Sequence, residues 1–168
     1  VKVLASLNNP AAADVLWERT MPPFAADVRA AALQAETGRR DEARATWNRI
    51  ASDTAVDALY RDLASLMWAL HGLETEAPES LEARLRPLAA SGGAWRASAQ
   101  ELLGLLALRR NDAAEARRLF EALANDVTAP PALRDRVVAE LALLREDAQL
   151  KERMAAAAGI IRLDGPQV

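Results

Sequence analysis

An all-α fold is predicted by three features of the chain. Alanine supplies 39 of the 168 residues and leucine is next, and both favour helix. β-Branched residues are sparse, and no segment alternates apolar and polar positions. Apolar residues recur instead at three- and four-residue steps, between stretches that start and stop helices. At this length a single domain with a sizeable core is expected, built from about seven to nine helices.

The elements follow in order. A short helix is expected over 11–20. "PPFAADVRAAALQAETG" opens on prolines, tolerated in a first turn, and stops at Gly38. "DEARATWNRIAS" starts at a capping Asp41 and buries Ala43, Trp47 and Ile50. "AVDALYRDLASLMWAL" carries the cleanest stripe: Val56, Leu59, Tyr60, Leu63, Leu66, Met67 and Leu70. Thr54 is its expected cap and His71-Gly72 its stop. "SLEARLRPLAASGG" starts at Ser80, and Pro87 should kink it or end it early. "AWRASAQELLGLLALRR" has leucines too widely spread for a surface stripe and reads as the most buried helix. "DAAEARRLFEALAN" is capped by Asp112 with Glu115 at the capping-box position, and buries Ala116, Leu119, Phe120 and Leu123. "PPALRDRVVAELALL" follows, with Leu133, Val137, Leu141 and Leu144 facing inward. A short helix and a frayed tail are expected over 148–168, after a segment of 1–20 and a main domain of 21–147.

One tripeptide occurs three times: Glu42-Ala43-Arg44, Glu82-Ala83-Arg84 and Glu115-Ala116-Arg117. Each is expected early in the second helix of a hairpin. In the last hairpin Gly104 lies on the first helix, Asn111-Asp112 makes the turn, and Ala116 and Phe120 lie four apart on the second. In the first, Ala31, Gly38, Ala43 and Trp47 take those places, and Pro87 takes the large position in the middle one. A small residue on each helix allows close approach, and a large one a turn later is expected to fill the gap that opens between neighbouring hairpins.

These hairpins resemble the tetratricopeptide repeat, a helix–turn–helix unit of about 34 residues, with an insertion of about seven at "LETEAPES". The implied architecture is a tetratricopeptide-like stack of antiparallel hairpins. The run from "YRDLASLMWAL" to "VVAELALL" further resembles the alphaproteobacterial form of one such family, the ancillary subunits of the SecYEG translocon, also described as cell-division-coordinator-like. The resemblance covers about residues 22–146. It implies an inner-membrane protein with one N-terminal anchor, here upstream of Val1, and a repeat domain on the periplasmic side. The implied partners are SecYEG, periplasmic chaperones and their clients.

Several function classes are disfavoured by composition. Net charge is −3 with acids and bases interspersed, so no nucleic-acid surface and no anionic-membrane surface is expected. The pairs Arg39-Arg40, Arg109-Arg110 and Arg117-Arg118 read as solvated helix ends. There is no cysteine, and His71 is the one histidine, read as a helix-end residue. No catalytic residue, metal site or cofactor is therefore expected. No segment reaches the roughly 18–20 apolar residues of a membrane span.

Recognition is the better reading. In a stack of hairpins the first helix of each unit lines the concave face. Arg61, Ser65 and Trp68 form one row there, and Ser98, Glu101, Leu105 and Arg109 form the comparable row on the 94–110 helix. Trp68 has two readings, packing under the next hairpin or serving as an interaction hot spot beside Arg61. The expected function is a non-catalytic protein–protein interaction scaffold. The alternative is a structural or oligomerisation module of an envelope or cell-division complex, with self-association through exposed apolar surface.

Overall fold

The computed structural model describes residues 23–163, with side chains from 24 to 154. The expected 11–20 helix and the last five residues lie outside that range. Among the described residues there are seven helices and no strand, so the fold is all-α. They are α1 (Pro23–Glu36), α2 (Arg40–Ser52), α3 (Ala58–Gly72), α4 (Pro78–Ala90), α5 (Arg96–Arg109), α6 (Ala113–Ala124) and α7 (Pro131–Leu163). The chain divides into two compact units, residues 1–77 and 78–168.

In the first unit α1 packs on α2 and α2 on α3. The α1–α2 turn closes on Gly38 at φ +79°, with Gly38 N–H donating to Ala35 and Arg39 N–H to Gln34. That pair of bonds satisfies carbonyls the helix end would orphan, and it needs a residue at ease in the left-handed region. The core joins Ala31, Ala43, Trp47, Ile50, Val56 and Ala64. Two expected caps differ. No side chain caps α2, whose Asp41 lies inside the first turn, 3.6 Å from Arg44. Asp57, not Thr54, caps α3 by accepting the Leu59 N–H at 2.8 Å.

The expected α3 stripe is also corrected. Leu59, Tyr60 and Leu70 are exposed, whereas Ala64, Leu66, Ala69 and Gly72 are buried. A stripe counted on large side chains misses a helix that approaches its neighbour through alanine. Ala64 is the α3 residue that enters the Trp47 core. The Tyr60 ring lies tilted by 50° against Phe24 of α1, with centroids 4.7 Å apart.

In the second unit α4 packs on α5, α5 on α6 and α6 on α7. The α5–α6 turn repeats the earlier one with Asn111 in the left-handed position, φ +59°. Asn111 N–H donates to Leu108 and Asp112 N–H to Ala107. Asp112 then caps α6, accepting the Glu115 N–H at 3.0 Å. Phe120, Leu123, Leu133 and Val137 lead a core that includes Ala116. Leu119 is only partly buried. Helix α7 runs unbroken for 33 residues in place of the expected short final helix, because no proline or glycine falls between Pro131 and Gly159.

The two units share a register. Helices α1, α2 and α3 begin at 23, 40 and 58, and α5, α6 and α7 begin at 96, 113 and 131, which is 73 residues later in each case. The same step carries Ala31 to Gly104, Trp47 to Phe120 and Val56 to Ala129, all buried. It also carries a turn: Asp53 accepts the Ala55 N–H at 2.9 Å, and Asp126 accepts the Thr128 N–H at 2.9 Å.

The middle tripeptide does not follow this register. Helices α2, α4 and α6 begin 38 and then 35 residues apart, not 40 and 33. Leu81 and Leu85, both fully buried, hold the positions of Ala43 and Trp47, while Ala83 is exposed. Pro87 therefore occupies no packing position, and α4 passes through it to Ala90. The proline is exposed, so water can serve the carbonyl left without its donor.

Candidate functional site

Each expected recognition row lies within one unit. Arg61, Ser65 and Trp68 are on α3, and Ser98, Glu101, Leu105 and Arg109 are on α5. Their three- and four-residue spacings put each set on one helical face. The structure gives several of them work inside the fold. Trp68 packs against the Trp47 core, and the Arg44 guanidinium stands over its ring at 5.3 Å. Arg44 is ion-paired with Glu76 and approaches Asp41, with only 15% of its side chain exposed. A tryptophan held between a core and a guanidinium in this way is part of the core wall as much as a surface.

On α5, Glu101 accepts two parallel bonds from Arg136 of α7, both at 2.9 Å. This forked geometry is the strongest form of a carboxylate pair, and it ties α5 to α7. Leu105 packs on the second core, and Ser98 is partly buried. Arg109 is exposed at the end of α5. Ser65 and Arg61 are partly buried, and the Arg61 Nε is buried without a hydrogen-bond partner among the described residues. Arg134, 73 residues on, has its Nε in the same condition.

Three polar groupings were not assembled from the sequence, which named His71, Asp112 and Glu115 only as helix-end residues. Beside Trp68, His71 has its pKa lowered by burial first, then by the charges of Arg40 and Arg44. Its imidazole is thus the neutral form at pH 7. In the second unit, Arg86, Arg110 and Arg118 alternate with Glu82, Asp112 and Glu115 around a recess of about 80 Å³ floored by Leu103, Leu106, Ala107 and Leu119. Its charges answer one another. Arg86 and Arg110 both pair with Glu82, and Arg118 forks onto Glu115 at 2.6 and 2.7 Å. The hydrogen bonds from Arg118 are also the leading cause of a lowered Glu115 pKa.

The third grouping closes the α6–α7 turn. Asp126 accepts from the Thr128 hydroxyl at 2.6 Å, from Arg96 of α5 and from the Thr128 N–H. These bonds, in that order, hold its carboxyl down at about 2, against an ordinary 3.8. The folded chain therefore binds this proton more weakly than the unfolded chain. The carboxylate favours folding above about pH 4, and that advantage fades as the pH falls towards about 2. Asp126→Asn should lower the melting temperature at pH 7, and the gap from the unmodified chain should narrow below about pH 4. Thermal unfolding followed by circular dichroism across that range checks it, and a gap that stays constant would contradict the assignment.

The sequence contained these partners but not their meetings. Arg96 and Asp126 are 30 residues apart, and Glu101 and Arg136 are 35 apart. Spacings near one repeat length were the available signal: Glu101 and Arg136 lie on successive first helices, and Arg96 reaches the turn that precedes α7. No helix among the described residues is long and apolar enough to cross a membrane. In comparisons with family models, curated proteins and solved structures, nothing matches the chain.

Proposed function

We propose that the protein is a non-catalytic, protein-binding scaffold of the tetratricopeptide-like kind. One observation supports this above the rest: the 73-residue register in which a hairpin and its following helix are written twice without insertion. Repetition of a packing unit multiplies equivalent helix faces, and such faces are what helical-repeat proteins offer to other polypeptides. Three of the least exposed carboxylates, Glu76, Glu101 and Asp126, are tied to arginines. In this reading the faces of Arg61 on α3 and Arg109 on α5 receive the partner.

The fuller proposal follows the resemblance of the sequence. The chain is the periplasmic domain of an inner-membrane-anchored protein that works beside the SecYEG translocon and periplasmic chaperones. A photo-crosslinking residue placed at Arg61 or Arg109 of the anchored protein should capture translocon or chaperone subunits. Charge reversal of both arginines should weaken that capture by about 2 kcal/mol or more, as expected of a hot spot. Arg61 and Arg109 are better probes than Trp68, whose loss would also damage the core. Absence of enrichment of these subunits would overturn the translocon assignment. Undiminished capture by a normally folded double variant would overturn the assigned faces.

A further inference from the structure

The shared register sets a length for the last helix, and α7 exceeds it. Helix α3 ends at Gly72, whose counterpart 73 residues on is Arg145, yet α7 continues to Leu163. The excess is about 27 Å of helix at 1.5 Å per residue. Packing onto the second core reaches only as far as Leu144. On another face, from Leu143 onward, the helix keeps large apolar side chains exposed. Leu143 is 60% exposed, Leu150 55% and Met154 64%. A helix face of this kind, with none of the described residues of its own unit upon it, is suited to being covered.

The spacing identifies the cover. Leu143 and Leu150 are seven apart, and Met154 follows four later, which is the seam pattern of paired helices. In the sequence the same spacing continues to Ala157 and Ile161. Asp147 is the one polar residue in the seam, and its side chain is drawn to Lys151 at 2.6 Å. A parallel pair in register would set Asp147 against Asp147, two carboxylates in an apolar seam. An antiparallel pair centred between Ala148 and Gln149 sets Leu143 against Met154, and Asp147 against Leu150. The same register brings Glu146 beside Arg153 twice, once at each end. Sliding the helices by half a heptad in the same antiparallel sense brings Arg153 to Arg153 and Lys151 to Lys151. Of these three pairings, charge favours the antiparallel one centred between Ala148 and Gln149, and it belongs to this chain meeting itself.

We propose that the exposed face of α7 is a self-association surface, on which a second copy of this chain pairs antiparallel along Leu143, Leu150 and Met154. This goes beyond the scaffold reading and does not rest on it, since capture of another protein and pairing through α7 use different residues. A seam of three turns falls short of the roughly 1,200 Å² of a standard interface. The dimer should therefore form and dissociate with concentration.

Sedimentation equilibrium of the full chain from micromolar to near-millimolar concentration tests this. The unmodified chain should pass from monomer to dimer. Leu150→Glu should weaken the dimer at least roughly thirtyfold while leaving the circular dichroism spectrum unchanged. Glu146→Arg and Arg153→Glu should each weaken it, and together restore it. Because the chain has no cysteine, single-cysteine variants report the orientation cleanly. Leu143→Cys mixed with Met154→Cys should give the cross-linked pair, and Leu143→Cys alone should not. A chain that stays monomeric throughout, a dimer indifferent to Leu150→Glu, or ready cross-linking of Leu143→Cys to itself would overturn the proposal. So would a monomer whose residue 150 cross-links to residues 1–22, which would make the chain's own N-terminal segment the cover.

Discussion

Truncating Phe120 to alanine should destabilise the second unit by about 3–5 kcal/mol. The ring is fully buried and lies against Gly104 on the preceding helix. A Cβ placed on Gly104 would come within 2.3 Å of the Phe120 Cε1, so the ring occupies the room a side chain would take. Gly104→Leu alone should then be costly as well. It gains about 1 kcal/mol of helix propensity but overpacks a closed site, at a cost of about 3 kcal/mol or more. Combining Gly104→Leu with Phe120→Ala returns volume to the cavity from the opposite helix. The double variant should be more stable than the sum of its parents' losses allows, by about 1–3 kcal/mol. Urea unfolding followed by circular dichroism measures all four chains. Strictly additive losses would mean that the two residues do not share the space.

Trp47 should behave in the same way in the first unit, with one difference. It is 2% exposed, and its loss to alanine should cost about 3–5 kcal/mol. Its indole N–H is buried with no hydrogen-bond partner among the described residues. An unsatisfied buried donor carries a penalty of about 1–3 kcal/mol. Trp47→Phe removes that donor while keeping an aromatic ring, so its net cost should be about 1 kcal/mol or less. The phenylalanine at the equivalent position, Phe120, shows that a six-membered ring can serve there. Circular dichroism is again the readout, because the other tryptophans would confuse a fluorescence signal. A Trp47→Phe loss as large as that of Trp47→Ala would show that the orphan donor is satisfied in solution.

How far the sequence determined this molecule can be judged at these same residues. Local chemistry fixed what depends on neighbours in the chain. The helix class follows from alanine and leucine. The turn at Gly38 and the cap at Asp112 follow from backbone groups that must find partners within a few residues. The small positions Ala31 and Gly104 and the large ones Trp47 and Phe120 were legible because they sit at fixed steps from a turn, but that Phe120 fills the space over Gly104 in its own hairpin, not a gap between hairpins, was not. Everything that depends on which face a helix buries was less secure. The α3 stripe failed at Leu59, Tyr60 and Leu70 because helices that approach through alanine leave large side chains outside. The middle tripeptide misled because an exposed alanine such as Ala83 is under no packing constraint, so its repetition carries no register.

Only the tertiary structure decided the polar architecture. Arg44 with Trp68 and Glu76, Arg96 with Asp126, and Arg136 with Glu101 are each made by residues more than twenty positions apart. A charge in the sequence does not say whether it meets water or an opposite charge, because that depends on which helices lie within about 4 Å of it. The exposed run of α7 was hidden for the same reason. Its leucines look like those of any packed helix until the length of the helix it leans on is known, and that length is set by a turn some forty residues earlier.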